Sequence, residues 1–148
     1  MANLNLDNYI SKTPDFPEEG ITFYDISPAL EDSDVLARMI KNMTKLAADF
    51  QPDIFAGIDA RGFLFSLPLA LALKCGTIMV RKAGKLPGSV LEESYSLEYG
   101  TARLTMHASR AIKDKKVVLC DDLMATGGTL AAAEKLVERA GGNVVGAV

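Results

Sequence analysis

Residues Val117–Thr129 read VVLCDDLMATGGT, and the fold expected of the whole chain follows from this stretch. Its first four residues form an unbroken apolar run, which is typical of a strand buried on both faces of a parallel sheet. After two aspartates and a turn of small residues, apolar residues recur at helical spacings of three and four from Leu130 onward. Gly141 and Gly142 end that pattern, and Val144–Val148 is a second apolar run. The sequence therefore predicts a strand–loop–helix–strand unit.

The loop in this unit combines two kinds of binding group. Small residues at a helix N-terminus let main-chain N–H groups converge on a phosphate. The residues expected to do so are Ala125, Thr126, Gly127, Gly128 and Thr129. Asp121 and Asp122 cannot favour phosphate, but they accept hydrogen bonds from hydroxyl groups or hold a metal ion. A ribose 5-phosphate, with a phosphate at one end and a diol at the other, satisfies both halves; the alternative is an Asp-rich strand end followed by an ordinary turn.

Two further strand ends carry positive charge. The apolar run Ile54–Ile58 is followed by the turn DARG, whose small residues and Arg61 indicate a second anion site or, alternatively, a surface arginine in a loop. The strand predicted at Thr77–Val80 delivers Arg81 and Lys82 to the same edge. The sequence contains neither the G-x-G-x-x-G dinucleotide motif nor a P-loop lysine motif.

A lid is predicted between these strands and the motif. Ala83–Gly88 contains two glycines and one proline, which is typical of a mobile connection. Apolar residues then alternate at Tyr95, Leu97 and Tyr99, and again at Ala102, Leu104 and Met106. That alternation indicates an antiparallel hairpin where a parallel sheet would ordinarily have a helical crossover. We expect the hairpin to close over reactants, with Glu92 and Glu93 as solvated carboxylates.

The remaining segments predict ordinary elements of an α/β fold. They are a short helix within Met1–Thr13, a short strand at Ile21–Ile26, an amphipathic helix over Val35–Phe50 capped from Glu31–Asp34, and a helix over Phe63–Leu73 that Gly76 stops.

Composition limits the class of protein. With 148 residues, 49% hydrophobic and 24% charged, the chain suits one compact domain over residues 1–148. A net charge of −3 argues against a nucleic-acid binder. Two cysteines in apolar settings predict reduced thiols in a cytoplasm. The sequence shows no signal peptide and no run of membrane-spanning length, so no membrane association is expected.

The chain resembles the adenine phosphoribosyltransferases, a branch of the type I phosphoribosyltransferases. Val117–Thr129 resembles the motif with which that family binds phosphoribosyl pyrophosphate (PRPP). Further strings are similar to the family and follow its order: FP at 16–17, GITFYDI at 20–26, DARGF at 59–63, RK at 81–82, GKLPG at 84–88 and LEYG at 97–100. The likeness covers nearly the whole chain.

The resemblance implies a fold and a reaction. The expected fold is a central, mostly parallel sheet flanked by helices, with a small N-terminal hood (residues 1–30), a flexible β-flap (residues 83–106) and further elements beyond Val148. The implied reaction converts adenine and PRPP to AMP and pyrophosphate, which is a step of purine salvage. Mg²⁺ would be the cofactor, bound mainly through PRPP rather than by a metal cage of the protein, and the protein would be a homodimer.

The resemblance also implies roles for individual residues. Asp121, Asp122 and Glu98 would be catalytic, the first two at the ribose and Glu98 at the purine imidazole ring. Pyrophosphate would bind near Ala60, Arg61, Arg81, Lys82 and Lys85, and the loop carrying Arg61 commonly has a cis peptide in this family. The purine would lie against Thr22, Phe23 and Tyr24, with Phe23 stacked on the base unless it is simply a core residue. Tyr99 would belong to the flap.

Two other functions stay open. One is a phosphoribosyltransferase for hypoxanthine, guanine or xanthine, and the other is a non-catalytic regulator that senses PRPP. The segment around Phe23 and the strings GKLPG and LEYG favour adenine, and the retained Glu98 and Tyr99 favour an enzyme.

Overall fold

The computed structural model describes residues 5–97, 100–108 and 112–148. The chain divides into two compact units, Met1–Asn42 and Met43–Val148. The first holds the short N-terminal elements, and the second holds a six-stranded sheet with its helices. Among the described residues, no helix combines the length and apolar character needed to cross a membrane.

The first unit is built around a two-stranded antiparallel sheet. A 3-10 helix, Leu6–Tyr9, precedes strand β1, Ser11–Pro14. β1 pairs with β2, Thr22–Asp25, and a short helix α1, Ser27–Glu31, follows. The predicted N-terminal helix is therefore wrong beyond one 3-10 turn, because pairing with β2 fixes the end of that segment as a strand. The strand predicted at Ile21–Ile26 is confirmed with shorter bounds.

Helix α2, Ser33–Ala48, is the predicted amphipathic helix. Its first turn is capped by Asp32, whose Oδ1 accepts hydrogen bonds from the main-chain N–H groups of Asp34 and Val35, both at 3.0 Å. A carboxylate at this position satisfies N–H groups that have no partner within the helix. The capping predicted from the sequence is confirmed.

The sheet of the second unit has the strand order β5-β6-β4-β3-β7-β8. Its strands and helices are β3 Ile54–Ile58, α3 Gly62–Leu73, β4 Gly76–Lys82, β5 Val90–Leu97, β6 Gly100–His107, β7 Lys116–Cys120, α4 Gly128–Arg139 and β8 Asn143–Ala147. The strands β4, β3, β7 and β8 run parallel to one another, and the β5–β6 hairpin joins β4 antiparallel. The predicted α/β fold with a mostly parallel sheet is confirmed. Gly76 begins β4 rather than stopping α3, which ends at Lys74 in the left-handed conformation.

The core lies between the sheet and α4. Ala133, Leu136 and Val137 on the apolar face of α4 are completely buried against the strands. At about 25 cal/mol per Å² of apolar surface, such a stripe is the main force that holds the helix to the sheet. On the other side, Gly62 at the start of α3 lies so close to the Cys120 carbonyl oxygen that a Cβ would collide with it. The turns that follow β3 and β7 are thus held side by side.

Candidate active site

Three neighbouring strands end at one edge of the sheet and bring the predicted charges together. Ile58 pairs with Val80, and Gly57 pairs with Cys120, in the parallel register of β3 with β4 and β7. The residues that follow these positions therefore emerge at the same edge, which is where parallel α/β sheets bind ligands.

Arg61 and Asp122 form an ion pair across this edge. The Arg61 Nε atom lies 2.9 Å from Asp122 Oδ2, and the Asp122 side chain is only 7% exposed. A carboxylate so removed from water needs a partner, because an unpaired buried charge is strongly destabilising. The cation expected near pyrophosphate and one carboxylate expected at the ribose are therefore in direct contact.

A second ion pair joins β3 to β4. Arg81 Nε lies 3.2 Å from Asp59 Oδ2, and the main-chain N–H of Lys82 donates to the same oxygen at 3.4 Å. The Arg81 guanidinium also lies 5.8 Å from the ring centroid of Phe63 and donates to the Lys85 carbonyl oxygen at 3.4 Å. Sequence reasoning gave Asp59 no role, although it is the first residue after a buried strand, as Asp121 is.

Asp121 lies in an environment that disfavours its charge. Burial is the largest influence and the neighbouring Asp122 charge adds to it, so that the pKa of Asp121 is raised to about 6. The main-chain N–H of Asp122, which donates to Asp121 Oδ1 at 3.0 Å, and the Arg61 charge act in the opposite direction. The carboxylate therefore stays mostly ionised at neutral pH and accepts hydrogen bonds. Cys120 beside it is buried, which raises its thiol pKa to about 12 and keeps it protonated.

The small-residue loop ends at the N-terminus of α4, as predicted. Gly127 has φ +82° and caps the helix, and its carbonyl oxygen accepts the Ala131 N–H at 3.0 Å. This left-handed conformation is one that glycine adopts without strain. Ala125 and Thr126 are exposed, while Gly127, Gly128 and Thr129 are half-buried. The first turn of α4 therefore offers main-chain N–H groups and the positive end of the helix dipole to an anion.

A cavity of about 250 Å³ opens beside the two carboxylates. It is lined by Asp121, Asp122, Leu123, Met124, Leu130, Ala147 and Val148. Two carboxylates on an apolar wall suit a ligand that has hydroxyl groups on one side and a less polar surface on the other.

Comparison with known proteins identifies the family of the chain. The phosphoribosyl transferase domain family matches residues 26–148. Adenine phosphoribosyltransferases of Rhodospirillum rubrum and Gluconobacter oxydans are each 49% identical over 144 residues, covering 97% of this chain and 84% and 80% of those proteins. The chain belongs to the adenine phosphoribosyltransferase family.

Solved structures of adenine phosphoribosyltransferases share the fold. The enzyme of Thermoanaerobacter pseudethanolicus superposes with a TM-score of 0.91 at 44% identity, covering 96% of this chain and 83% of that one. The Saccharomyces cerevisiae enzyme, crystallised with adenine and an imino-altritol bisphosphate, gives a TM-score of 0.86 at 36% identity, covering 97% and 86%.

The residues that the family resemblance assigns to the purine lie in the first unit. Phe23 is half-buried, and its ring packs edge-to-face on Phe16 with centroids 5.3 Å apart. Thr22 and Tyr24 are exposed, and the Lys12 ammonium lies 5.7 Å from the Tyr24 ring centroid. Phe16, which the sequence analysis gave no separate role, is thus the aromatic neighbour of Phe23.

The flap gives a mixed result. The predicted hairpin is present as β5 and β6, with Leu97 paired to Gly100. Glu98 and Tyr99 lie outside the described residues, so their roles stay predictions. The expectation that Glu93 is a solvated carboxylate is wrong: it is ion-paired with Lys135 at 3.3 Å and Arg139 at 3.2 Å.

The loop carrying Arg61 has a cis peptide between Asp59 and Ala60, a feature common in adenine phosphoribosyltransferases by the resemblance given above. Ala60 itself is exposed at the turn. Within residues 5–97, 100–108 and 112–148, no three side chains among histidine, cysteine, aspartate and glutamate cluster in a way that could hold a metal ion.

Proposed function

We propose that this protein transfers the phosphoribosyl group of PRPP to adenine, giving AMP and pyrophosphate. One observation supports the assignment most strongly. Asp122 pairs with the arginine of the turn after β3, and the loop that begins with Asp121 and Asp122 ends at a glycine-rich helix N-terminus. These groups are complementary to a ribose that carries a phosphate at one end and a pyrophosphate at the other, with its hydroxyl groups between them. The curated relatives named above carry the same activity in their names.

PRPP would lie along the edge of the sheet. Its 5-phosphate would accept hydrogen bonds from the loop of Ala125, Thr126, Gly127, Gly128 and Thr129. Its ribose hydroxyl groups would donate to Asp121 and Asp122. Its pyrophosphate would lie toward Ala60, Arg61, Arg81, Lys82 and Lys85, where cations compensate the charge of the leaving group.

The two carboxylates have a second use during the reaction. As pyrophosphate departs, the anomeric carbon and ring oxygen gain the positive charge of an oxocarbenium ion. Asp121 and Asp122 stabilise that charge, because a fixed negative charge lowers the energy of a transition state more than that of the neutral sugar. Adenine N9 attacks the face opposite to pyrophosphate, with inversion. Mg²⁺ bound through PRPP would neutralise the phosphates and assist their departure.

Glu98 would manage the proton of the purine imidazole ring. This role rests on the family resemblance of LEYG at 97–100. A carboxylate that loses water when a lid closes has its pKa raised toward the range useful for acid–base catalysis. Thr22, Phe23 and Tyr24 would frame the base.

A homodimer and a cytoplasmic location complete the proposal. Leu64, Leu67 and Leu71, at helical spacing on α3, are 51%, 54% and 73% exposed and supply apolar surface for self-association. The two cysteines are free thiols, which suits a reducing compartment.

A panel of purines incubated with PRPP and Mg²⁺ tests the reaction, with pyrophosphate release as the measurement. We expect turnover of adenine and little of hypoxanthine, guanine or xanthine. Faster turnover of another purine would identify that purine, and not adenine, as the substrate. Binding of PRPP with no turnover of any base would identify a PRPP-sensing regulator instead.

The same assay tests Glu98. Glu98→Gln keeps the shape of the side chain but removes its charge, so we expect kcat to fall far more than PRPP affinity. Equal losses in both would contradict the assigned role.

A further inference from the structure

Strand β5 of the hairpin packs along helix α4. Leu91, Glu93 and Tyr95 point to one face and are half-buried, whereas the alternate residues are exposed. Leu91 and Tyr95 pack against the apolar core that α4 covers. A carboxylate therefore lies between two apolar contacts on the inner face of the strand, which is an unusual position for an acidic residue.

Two cations of α4 hold that carboxylate. Glu93 Oε1 lies 3.3 Å from Lys135 Nζ, and Glu93 Oε2 lies 3.2 Å from an Arg139 guanidinium nitrogen. The same arginine nitrogen donates to the Glu92 carbonyl oxygen at 2.7 Å, so Arg139 binds both the main chain and a side chain of β5. The Glu93 side chain is only 21% exposed, which reduces screening by solvent.

The other end of this contact lies at the proposed phosphate loop. A Cβ on Gly128 would stand 3.1 Å from the Ser96 carbonyl oxygen and 3.5 Å from Tyr95 Cδ2. Glu93 contacts the last turns of α4, and Ser96, three residues later, reaches its first residue. The strand therefore runs antiparallel to the helix, with the ion pairs at one end of the contact and the close approach to Gly128 at the other.

We propose that Glu93 is a positioning residue for the sugar phosphate. Its ion pairs with Lys135 and Arg139 keep β5 against α4, so that the main chain at Tyr95 and Ser96 forms a side wall for the turn that begins at Gly128. A fixed wall keeps the N–H groups of this turn oriented for the phosphate and limits the conformations that must be ordered on binding. The inference rests on the proposed function of the loop.

Glu92 is the matched control. It is the preceding residue of the same strand, and its carboxylate pairs with Arg103 at 2.8 Å across the hairpin, not with the helix. Glu92→Gln removes one carboxylate from β5 and leaves the ion pairs between β5 and α4 in place.

The first measurement needs no substrate. Hydrogen exchange is followed at the amide of Ala131, whose N–H donates to the Gly127 carbonyl oxygen in the first turn of α4, in the wild type, Glu93→Gln and Glu92→Gln. We expect about fivefold faster exchange in Glu93→Gln only, and partial recovery in Glu93→Asp. Equal exchange in both glutamine variants would overturn the proposal, whether or not the protein turns over adenine.

The second measurement uses steady-state kinetics. Glu93→Gln should raise KM for PRPP by about fivefold while changing kcat and KM for adenine by less than about twofold. A fall in kcat with KM for PRPP unchanged would overturn the proposal, because it would mean that Glu93 acts elsewhere. Failure of the wild type to use any purine would refute the proposed function, and the exchange measurement would still decide whether Glu93 orders the loop.

Discussion

The turns that follow β3 and β7 lie side by side at one edge of the sheet but present different chemistry. The turn after β3 works through side chains, because Asp59 and Arg61 each make an ion pair with a neighbouring turn or strand. The loop after β7 begins with two carboxylates and then offers small residues and a helix N-terminus, so the groups that we propose bind an anion there are main-chain N–H groups.

This difference predicts which substitutions impair the function proposed for each turn. Side-chain charges are lost by substitutions that leave the backbone unchanged, and each loss leaves a partner without its counter-charge. Main-chain N–H groups are removed only by substitution with proline, and other substitutions disturb them when the new side chain strains the backbone. Asp122 connects the two turns, since it follows β7 and its side chain pairs with the arginine after β3.

Asp122→Asn should therefore have the largest effect. It keeps the size of the side chain but removes the charge that pairs with Arg61 and that, in the proposed reaction, faces the developing oxocarbenium ion. We expect kcat/KM for PRPP to fall by about 10²–10³-fold, as for the loss of one electrostatic group in a preorganised site.

The control for Asp122 is Arg61→Gln, which removes the other half of the ion pair. The two single variants and the double variant together form a double-mutant cycle. If the pair acts as one unit, the double variant loses less than the product of the two single losses. Retention of wild-type PRPP affinity by Asp122→Asn would refute the ribose role.

Arg81→Gln should have a smaller effect, of about tenfold on KM for PRPP. Arg81 is held by Asp59 and lies over the Phe63 ring, so its loss removes one of several cations near the proposed pyrophosphate position. Arg81→Lys keeps the charge but not the planar group, so we expect an intermediate value. An unchanged KM for PRPP in Arg81→Gln would mean that the pyrophosphate does not bind beside Arg81.

Gly127→Ala tests whether main-chain N–H groups of the loop after β7 bind the phosphate. Among the residues that the structure describes, none other than the two chain neighbours has an atom within 4 Å of a Cβ built on Gly127, so its φ of +82° is the feature that opposes a side chain. Strain of about 1 kcal/mol in the left-handed region predicts about a fivefold increase in KM for PRPP. Gly127→Asn should be milder, because asparagine tolerates this conformation better than alanine. Equal behaviour of the two variants would mean that backbone strain is not the cause.

The sequence predicted the local structure that contiguous residues form and missed the contacts between residues that are distant in the sequence. The strand, the aspartates and the glycine-rich turn of Val117–Thr129 lie in one local pattern, and the loop has the expected form. The Asp59–Arg81 pair joins residues 22 positions apart, and the Glu93–Arg139 pair joins residues 46 apart. Such contacts depend on strand register and on how a hairpin packs, for which no local signal exists.

The N-terminal error has a similar cause. A short segment of scattered apolar residues, with Leu6, Tyr9 and Ile10 among them, is compatible with a helix or a strand. Pairing of β1 with β2 decides between them, and this pairing depends on a segment that begins eight residues after Pro14 at Thr22. Tertiary contacts override local preference in segments of this length.

Asp121 gives the smallest expected effect, on stability rather than on kinetics. Burial raises the pKa of its carboxyl to about 6, above the ordinary value of 3.8. The folded protein therefore binds more protons than the unfolded chain between about pH 4 and pH 6, and this group's contribution to stability is lost as the pH rises through that window. At neutral pH the folded state holds an ionised carboxylate that its surroundings disfavour.

Asp121→Asn removes that ionisation, so its free energy of unfolding at about pH 7 should exceed that of the wild type by about 1 kcal/mol, after allowance for solvent screening. The advantage should disappear near pH 4, where the wild-type carboxyl is protonated in the folded state. Urea unfolding of both proteins at several pH values measures the difference. An advantage that is equal at all pH values would come from packing or hydrogen bonding, whereas one that vanishes in acid would show that the ionised Asp121 carboxylate destabilises the folded state. Such a cost fits a group kept for transition-state stabilisation, in contrast to the turn after β3, whose charges are paired within the fold.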